Sequence, residues 1–144
     1  MSGRVLMIGL LSFTALFAVG LWYAQFYAFY DDFEAEAVEI DGQRYAVSDF
    51  EGIDASTSPL KLRACFTLAE APQAPAFPHA QPLVGPGWFD CFDAKTLTAA
   101  LRSGDAVAYL AAEDEFDGTD RIVLRFPDGR AFMWRQLGQE FAEQ

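Results

Sequence analysis

Basic side chains are the scarcest chemistry in this sequence: ten Lys and Arg stand against 21 Asp and Glu, with one histidine, His79. A chain of net charge −11 lacks the basic footprint that nucleic acid requires, which excludes nucleic acid as a partner. A single histidine leaves no convincing nucleophile–histidine–carboxylate set. His79 lies among prolines in FPHAQP, where an exposed loop residue is the simplest reading. No glycine-rich stretch has the spacing that cradles phosphate. Two cysteines and three methionines are too few soft ligands for a dedicated metal site. The acidic stretch AEDEFDGTDR fails as a calcium loop. Its first ligand would be Glu113 where Asp is wanted, and its twelfth Leu124 where a bidentate Glu is needed. The sequence therefore predicts no catalytic residue, no cofactor and no metal.

Charge is missing altogether from Val5 to Tyr30, where Ser12, Thr14, Gln25 and the tyrosines are the only polar side chains. That run of 26 residues is longer than the roughly 20 that cross a bilayer core. It is also longer than the apolar core of a cleavable signal peptide. It ends in Trp22, Tyr23, Phe26, Tyr27, Phe29 and Tyr30, and aromatic rings favour the headgroup level. The expectation is a retained single-pass anchor over residues 1–30, its outer end near Tyr27 to Tyr30, with the lipid bilayer as its first partner. Arg4 precedes the run and the next basic residue is Arg44. This weak positive-inside signal puts the amino terminus in the cytoplasm and residues 31–144 outside it. Gly9, Gly20, Ala24 and Ala28 fall near one helical face, and the last three repeat at the spacing that lets helix backbones approach in lipid.

Residues 31–144 carry all 21 acids and nine of the ten bases, a net charge of −12. They are long enough for one modest core. Two cysteines outside the cytoplasm usually pair, so a structural disulfide between Cys65 and Cys91 is expected. A redox pair would show a C-x-x-C spacing, which is absent. The enclosed loop 71–87 holds most of the chain's seven prolines and cannot generate a core of its own.

Strands are expected in AVEIDGQRYAV as a hairpin about Asp41-Gly42, in PLKLRACFTL, AVAYLAA, RIVLRF and AFMWRQL, with DFEGIDASTSP as a loop. FDAKTLTAALRSGDA is the best helix outside the anchor, with Asp93 as its N-cap and Gly104 at its end. Together these give an α+β fold: one N-terminal transmembrane helix, then a small, mostly antiparallel β domain with one main helix. A three-residue connector in FPDGRA would pair Phe126 with Arg130, Leu124 with Phe132 and Ile122 with Trp134, gathering the large apolar side chains on one face. The other face then shows Arg121, Val123, Arg125, Met133 and Arg135, with Arg121 opposite Arg135. That arrangement invites an acidic neighbour: solvation or the chain's own Glu113, Asp114, Glu115, Asp117 and Asp120 would compensate it, or else an anionic headgroup or an acidic partner surface.

The phrases DFEGIDASTSPLKLRACF, PLVGPGWFDCFDA and DRIVLRFPDGRAFMW resemble a family of short bacterial proteins of unknown function, each with an N-terminal membrane segment and a small outer domain. The resemblance covers most of residues 49–134, includes both cysteines, and implies topology without an activity. The reading it joins is a non-enzymatic protein of the bacterial inner membrane with a periplasmic domain. It would serve as an accessory or assembly factor contacting a membrane or periplasmic protein. Arg121, Arg125, Arg135, Trp88 and Phe89 are its candidate interaction surface. The alternative is a sensor or ligand-binding domain, which a pocket near Trp88, Phe89 and Trp134 would favour. A third reading is an enzyme using carboxylates or a reducible Cys65–Cys91 pair.

Overall fold

A computed structural model describes residues 2–142, the side chains of Phe26 and Ala142 excepted. The uncharged run forms one helix, α1, Gly3–Phe26. Its span Gly3–Gln25 has a mean hydropathy of 2.2 and is not buried by the rest of the described chain, so by length and composition it can cross a membrane. Gly9 and Gly20 are open on the helix surface. Ala28 falls past the helix end, in the turn before the first strand. The expected small-residue face therefore stops at Ala24 as a helical feature.

The rest of the described chain is an antiparallel α+β domain. β1 (Tyr30–Phe33), β4 (Ser48–Ala55), β5 (Arg63–Thr67), β6 (Val107–Phe116), β7 (Thr119–Arg125) and β8 (Arg130–Leu137) form a sheet in the order β1-β4-β5-β8-β7-β6. β2 (Ala37–Ile40) and β3 (Gln43–Ala46) form a separate hairpin. Asp41 and Gly42 take φ of 51° and 80°, the two positive values that a type I′ turn demands. The β7–β8 register is the one burial requires, Ile122 opposite Trp134 and Leu124 opposite Phe132. Gly129, at φ 99°, closes the turn by donating its N–H to the Phe126 carbonyl at 3.0 Å.

One expectation is corrected. DFEGIDASTSP was read as a loop, but Ser48–Ala55 is strand β4, paired with both β1 and β5. A bulge between Ser48 and Glu51, with Asp49 at φ 52°, slips the alternation by a residue. That slip hides a strand's period-2 signature.

Each face of the sheet is covered. On one side α2 (Ala94–Ser103) lays Leu97 and Ala100 over Ile53, Ile122, Leu124 and Trp134. Asp93 caps it by accepting from the N–H groups of Lys95 and Thr96, and Gly104 ends it at φ 82°. On the other side the hairpin folds back so that Val38, Ile40 and Tyr45 cover Ala64, Phe66, Val123 and Met133. Fully burying side chains of this size contributes roughly 1.5–3 kcal/mol each. The face that carries Arg121 and Arg135 is thus a second core beneath the hairpin, which could not be read from β7 and β8 alone.

The proline-rich loop is strapped across the domain. Gln73 donates its N–H to the Tyr45 hydroxyl at 2.9 Å, and Phe77 donates to the Ala108 carbonyl at 2.7 Å on the β6 edge. On the α2 face, Gln136 accepts from the Gln81 N–H at 2.7 Å and donates to the His79 carbonyl at 2.9 Å. The loop then reaches Cys91, which is bonded to Cys65 of β5 with their Cα atoms 6.3 Å apart.

Candidate functional site

A cavity of about 640 Å³ opens on the hairpin side of the sheet, between β1 and β4 on one flank and β2 on the other. Its walls are mainly apolar: Phe33, Phe50, Val38, Leu62 and Met133. Phe33 meets Phe50 edge-on at 5.2 Å, and Phe50 stacks on Phe66 at 5.5 Å. These aromatics approach β4 where Gly52 leaves room. A Cβ there would fall 2.7 Å from both Phe33 and Phe50. Asp31, Glu39 and Asp54 add carboxylates to the lining.

Arg121 and Arg135 lie at the base of this groove, only 8% and 9% exposed. They are directly opposite in the β7–β8 register, an arrangement that repels unless a carboxylate intervenes. Glu115 supplies it. Its Oε1 accepts from Arg121 Nε at 3.1 Å and its Oε2 from Arg135 Nε at 3.0 Å. Arg135 also donates from Nη1 to Asp54 Oδ2 at 3.1 Å, and its guanidinium stands 4.5 Å from the centre of the Phe116 ring. Arg121 Nη1 lies 3.3 Å from Met133 Sδ.

Glu115 is aimed inward because β6 loses register with β7 between Ala112 and Phe116. Asp114 takes φ 51° there and accepts from the Gly118 N–H at 2.8 Å. Burial alone would raise the Glu115 carboxyl. The hydrogen bond from Arg135, the Arg121 charge and their combined contacts outweigh it, so its pKa falls below the ordinary value. A carboxylate held ionised by two guanidinium groups is a poor general acid. The groove can bind, and its central charges already neutralise one another. Among the described residues no three His, Cys, Asp or Glu side chains gather as a metal cluster.

The remaining candidate residues lie elsewhere. Arg125 reaches the other way, donating to the Leu68 and Ala69 carbonyls at 2.8 and 2.9 Å. The three arginines therefore do not form one open basic patch. Phe89 is buried in the α2-side core and Trp134 is fully buried. Trp88 stacks on Tyr27 at 5.9 Å and meets Tyr30 edge-on at 5.6 Å. The groove described above is on the face opposite Trp134.

From sequence alone Arg63, next but one to Cys65 on β5, has no assigned role. It is buried with its guanidinium among backbone carbonyls: Nε to Leu83 at 3.1 Å, Nη1 to Leu60 at 2.7 Å and Leu62 at 2.6 Å, and Nη2 to Val84 at 3.0 Å. Burial pulls its pKa down to about 10, partly offset by Tyr30, so it stays charged at neutral pH. Its signal was available: an arginine alternating with Cys65 on a core-facing side of a strand must find buried acceptors.

Fold and groove together define a small antiparallel α+β domain, closed on two faces and carried behind an apolar helix. Residues 32–144 match a family model described as a family of unknown function, DUF6446, and the chain belongs to that family. No curated protein and no solved structure matches it.

Proposed function

We propose that the chain is a non-enzymatic, single-pass protein of the bacterial inner membrane, its amino terminus cytoplasmic and its outer domain periplasmic. It acts as an accessory or assembly factor that binds a neighbouring membrane or periplasmic protein. The position of the groove carries this reading. The groove opens beside β1, the edge strand that follows the apolar helix after three residues, so an occupant must come to a site close to the membrane surface. Among the described residues the outer side of β1 has no strand partner, and an unpaired edge offers backbone groups to an extended segment. Asp31 and Asp32 on that edge oppose pairing with a second copy and suit a basic partner segment. The Cys65–Cys91 bridge fits an oxidising compartment.

The test is native size and composition after extraction from the membrane in mild detergent, with the wild type compared with Ala37→Glu, which puts a charge into the groove wall. Co-migration with a larger assembly that Ala37→Glu dissolves supports the reading. A lone monomer or homodimer, or an assembly indifferent to that substitution, counts against it. The apolar lining of the groove favours one second reading, a ligand-binding or sensor domain for a small apolar molecule. Native mass spectrometry of the full chain would then show a small molecule retained by the wild type and lost from Ala37→Glu.

A further inference from the structure

Few large apolar side chains are exposed on the outer domain, and they gather at one end of it. Among the described residues past Phe26 they are Tyr27, Phe29, Val84, Phe116, Leu137 and Phe141, with Val107 the exception. The sheet register explains the grouping. Tyr30 pairs with Ala55, Ile53 with Arg63 and Arg63 with Trp134. Along the same side, Leu137 pairs with Thr119, which faces Phe116. Phe116 and Leu137 therefore end their strands on the side where Phe29 leads into β1. Phe141 lies against Gly118 in the β6–β7 turn, its ring 2.9 Å from where a Cβ would be.

Val84 is held at that end by Arg63. Nη2 of the guanidinium takes the Val84 carbonyl while Nη1 takes that of Leu60. Val84 is 85% exposed, an unusual state for a valine on a loop fixed so firmly. Val107 pairs with Arg125, toward the opposite end.

We infer that this end of the domain sits in the interfacial layer of the bilayer that α1 crosses, with lipid covering these side chains. The inference rests on the membrane-anchor reading and extends it from the helix to the domain. Three residues separate α1 from β1, a reach of at most about 11 Å. The Tyr27–Trp88 stack closes part of that gap. Apolar and aromatic side chains beside a membrane helix partition into the headgroup boundary. Their scatter around the helix exit suits a fluid phase better than a shaped protein partner. The charges at this end are mainly acidic: Asp31 and Asp32 on β1, Asp54 opposite Asp31, Asp117 in the turn and Glu140 in the short helix α3, Gln139–Ala142, stand against Lys61, whose Nζ lies 5.3 Å from the Tyr30 ring. The contact is therefore with the apolar boundary and not with anionic headgroups, so phosphatidylcholine suffices.

The experiment places the full chain in phosphatidylcholine nanodiscs with brominated or plain acyl chains and reads tryptophan emission. Trp22→Phe with Trp88→Phe leaves only Trp134, which is fully buried, as background. In that background Val84→Trp and Leu137→Trp are each expected to lose most of their added emission to brominated lipid, equally at low and high salt. Val107→Trp should lose none. The Trp88→Phe chain, whose other tryptophan is the buried Trp134, reports through Trp22 whether α1 is in the bilayer at all. If Trp22 is quenched while both reporters match Val107→Trp, the inference is overturned and the anchor stands. If Trp22 is not quenched, the anchor reading itself fails and takes the inference with it. Quenching that salt abolishes would also overturn the apolar contact.

Discussion

Arg121 and Arg135 face each other across the β7–β8 ladder, and the single carboxylate of Glu115 joins them. Removing that carboxylate leaves two like charges opposed in a largely buried site. Glu115→Gln is expected to destabilise the domain by about 1–3 kcal/mol, less than a fully buried pair would lose, because the Glu115 side chain is 29% exposed. Adding Arg121→Met should restore part of that loss by removing the repulsion. Urea denaturation of the three proteins measures both. A double variant no more stable than Glu115→Gln would mean that the two arginines do not repel.

The same carboxylate sets an acid limit. Its folded-state pKa lies below the ordinary glutamate value of 4.5, so its stabilising contribution is complete above that value and is lost as pH falls through the lower, folded-state one. Stability should therefore decline on acidification below about pH 4.5, and Glu115→Gln should flatten that part of the curve. Thermal melts at stepped pH decide it, and parallel curves for the two proteins would remove Glu115 as the cause.

Reducing the Cys65–Cys91 bridge releases a loop with a sequence separation of 26. Replacing both cysteines by alanine is expected to cost roughly 3.5 kcal/mol in the chain-entropy account. Mass spectrometry after alkylation should find no free thiol before reduction and two after it. Two reactive thiols in the native, unreduced protein would end the structural-bridge assignment.

Gly52→Ala tests the groove wall from behind. The new methyl group would press on Phe33 and Phe50, whose rings stand 2.7 Å from its position. Overpacking of this kind costs about 1–3 kcal/mol. Loss of assembly or ligand binding alongside such a modest destabilisation would tie the groove to function. An unaltered stability would show that the two rings move aside freely.

Much of the fold was legible where local chemistry and burial agree. The Asp41-Gly42 turn, the Asp93 cap and the Phe126–Arg130 turn each carry a residue that one backbone geometry requires, and the structure has all three. β4 was not legible because its bulge breaks the alternation and its exposed positions are the polar Ser48, Asp49 and Glu51. The site was harder still. Glu115 is one acid in a run of several, and only the loss of register after Ala112 turns it toward the arginines. That the β2–β3 hairpin covers Arg121, Val123 and Met133 is a long-range packing choice, and neither segment announces the other by its own pattern.

The position of β8 has a consequence for how the chain comes to be folded. It is the last strand in the sequence, yet it lies inside the sheet, between β5 and β7. Until it arrives, the β1-β4-β5 half and the β6-β7 half have no strand to join them, and β5 presents an unsatisfied edge carrying a cysteine. Assembly of the sheet must wait for nearly the whole polypeptide, a non-local pairing that slows folding. A chain cut short before Arg130 would keep its apolar helix and lose the zipper that joins the two halves. Such a product is expected to leave two strand edges unpaired and open to proteolysis.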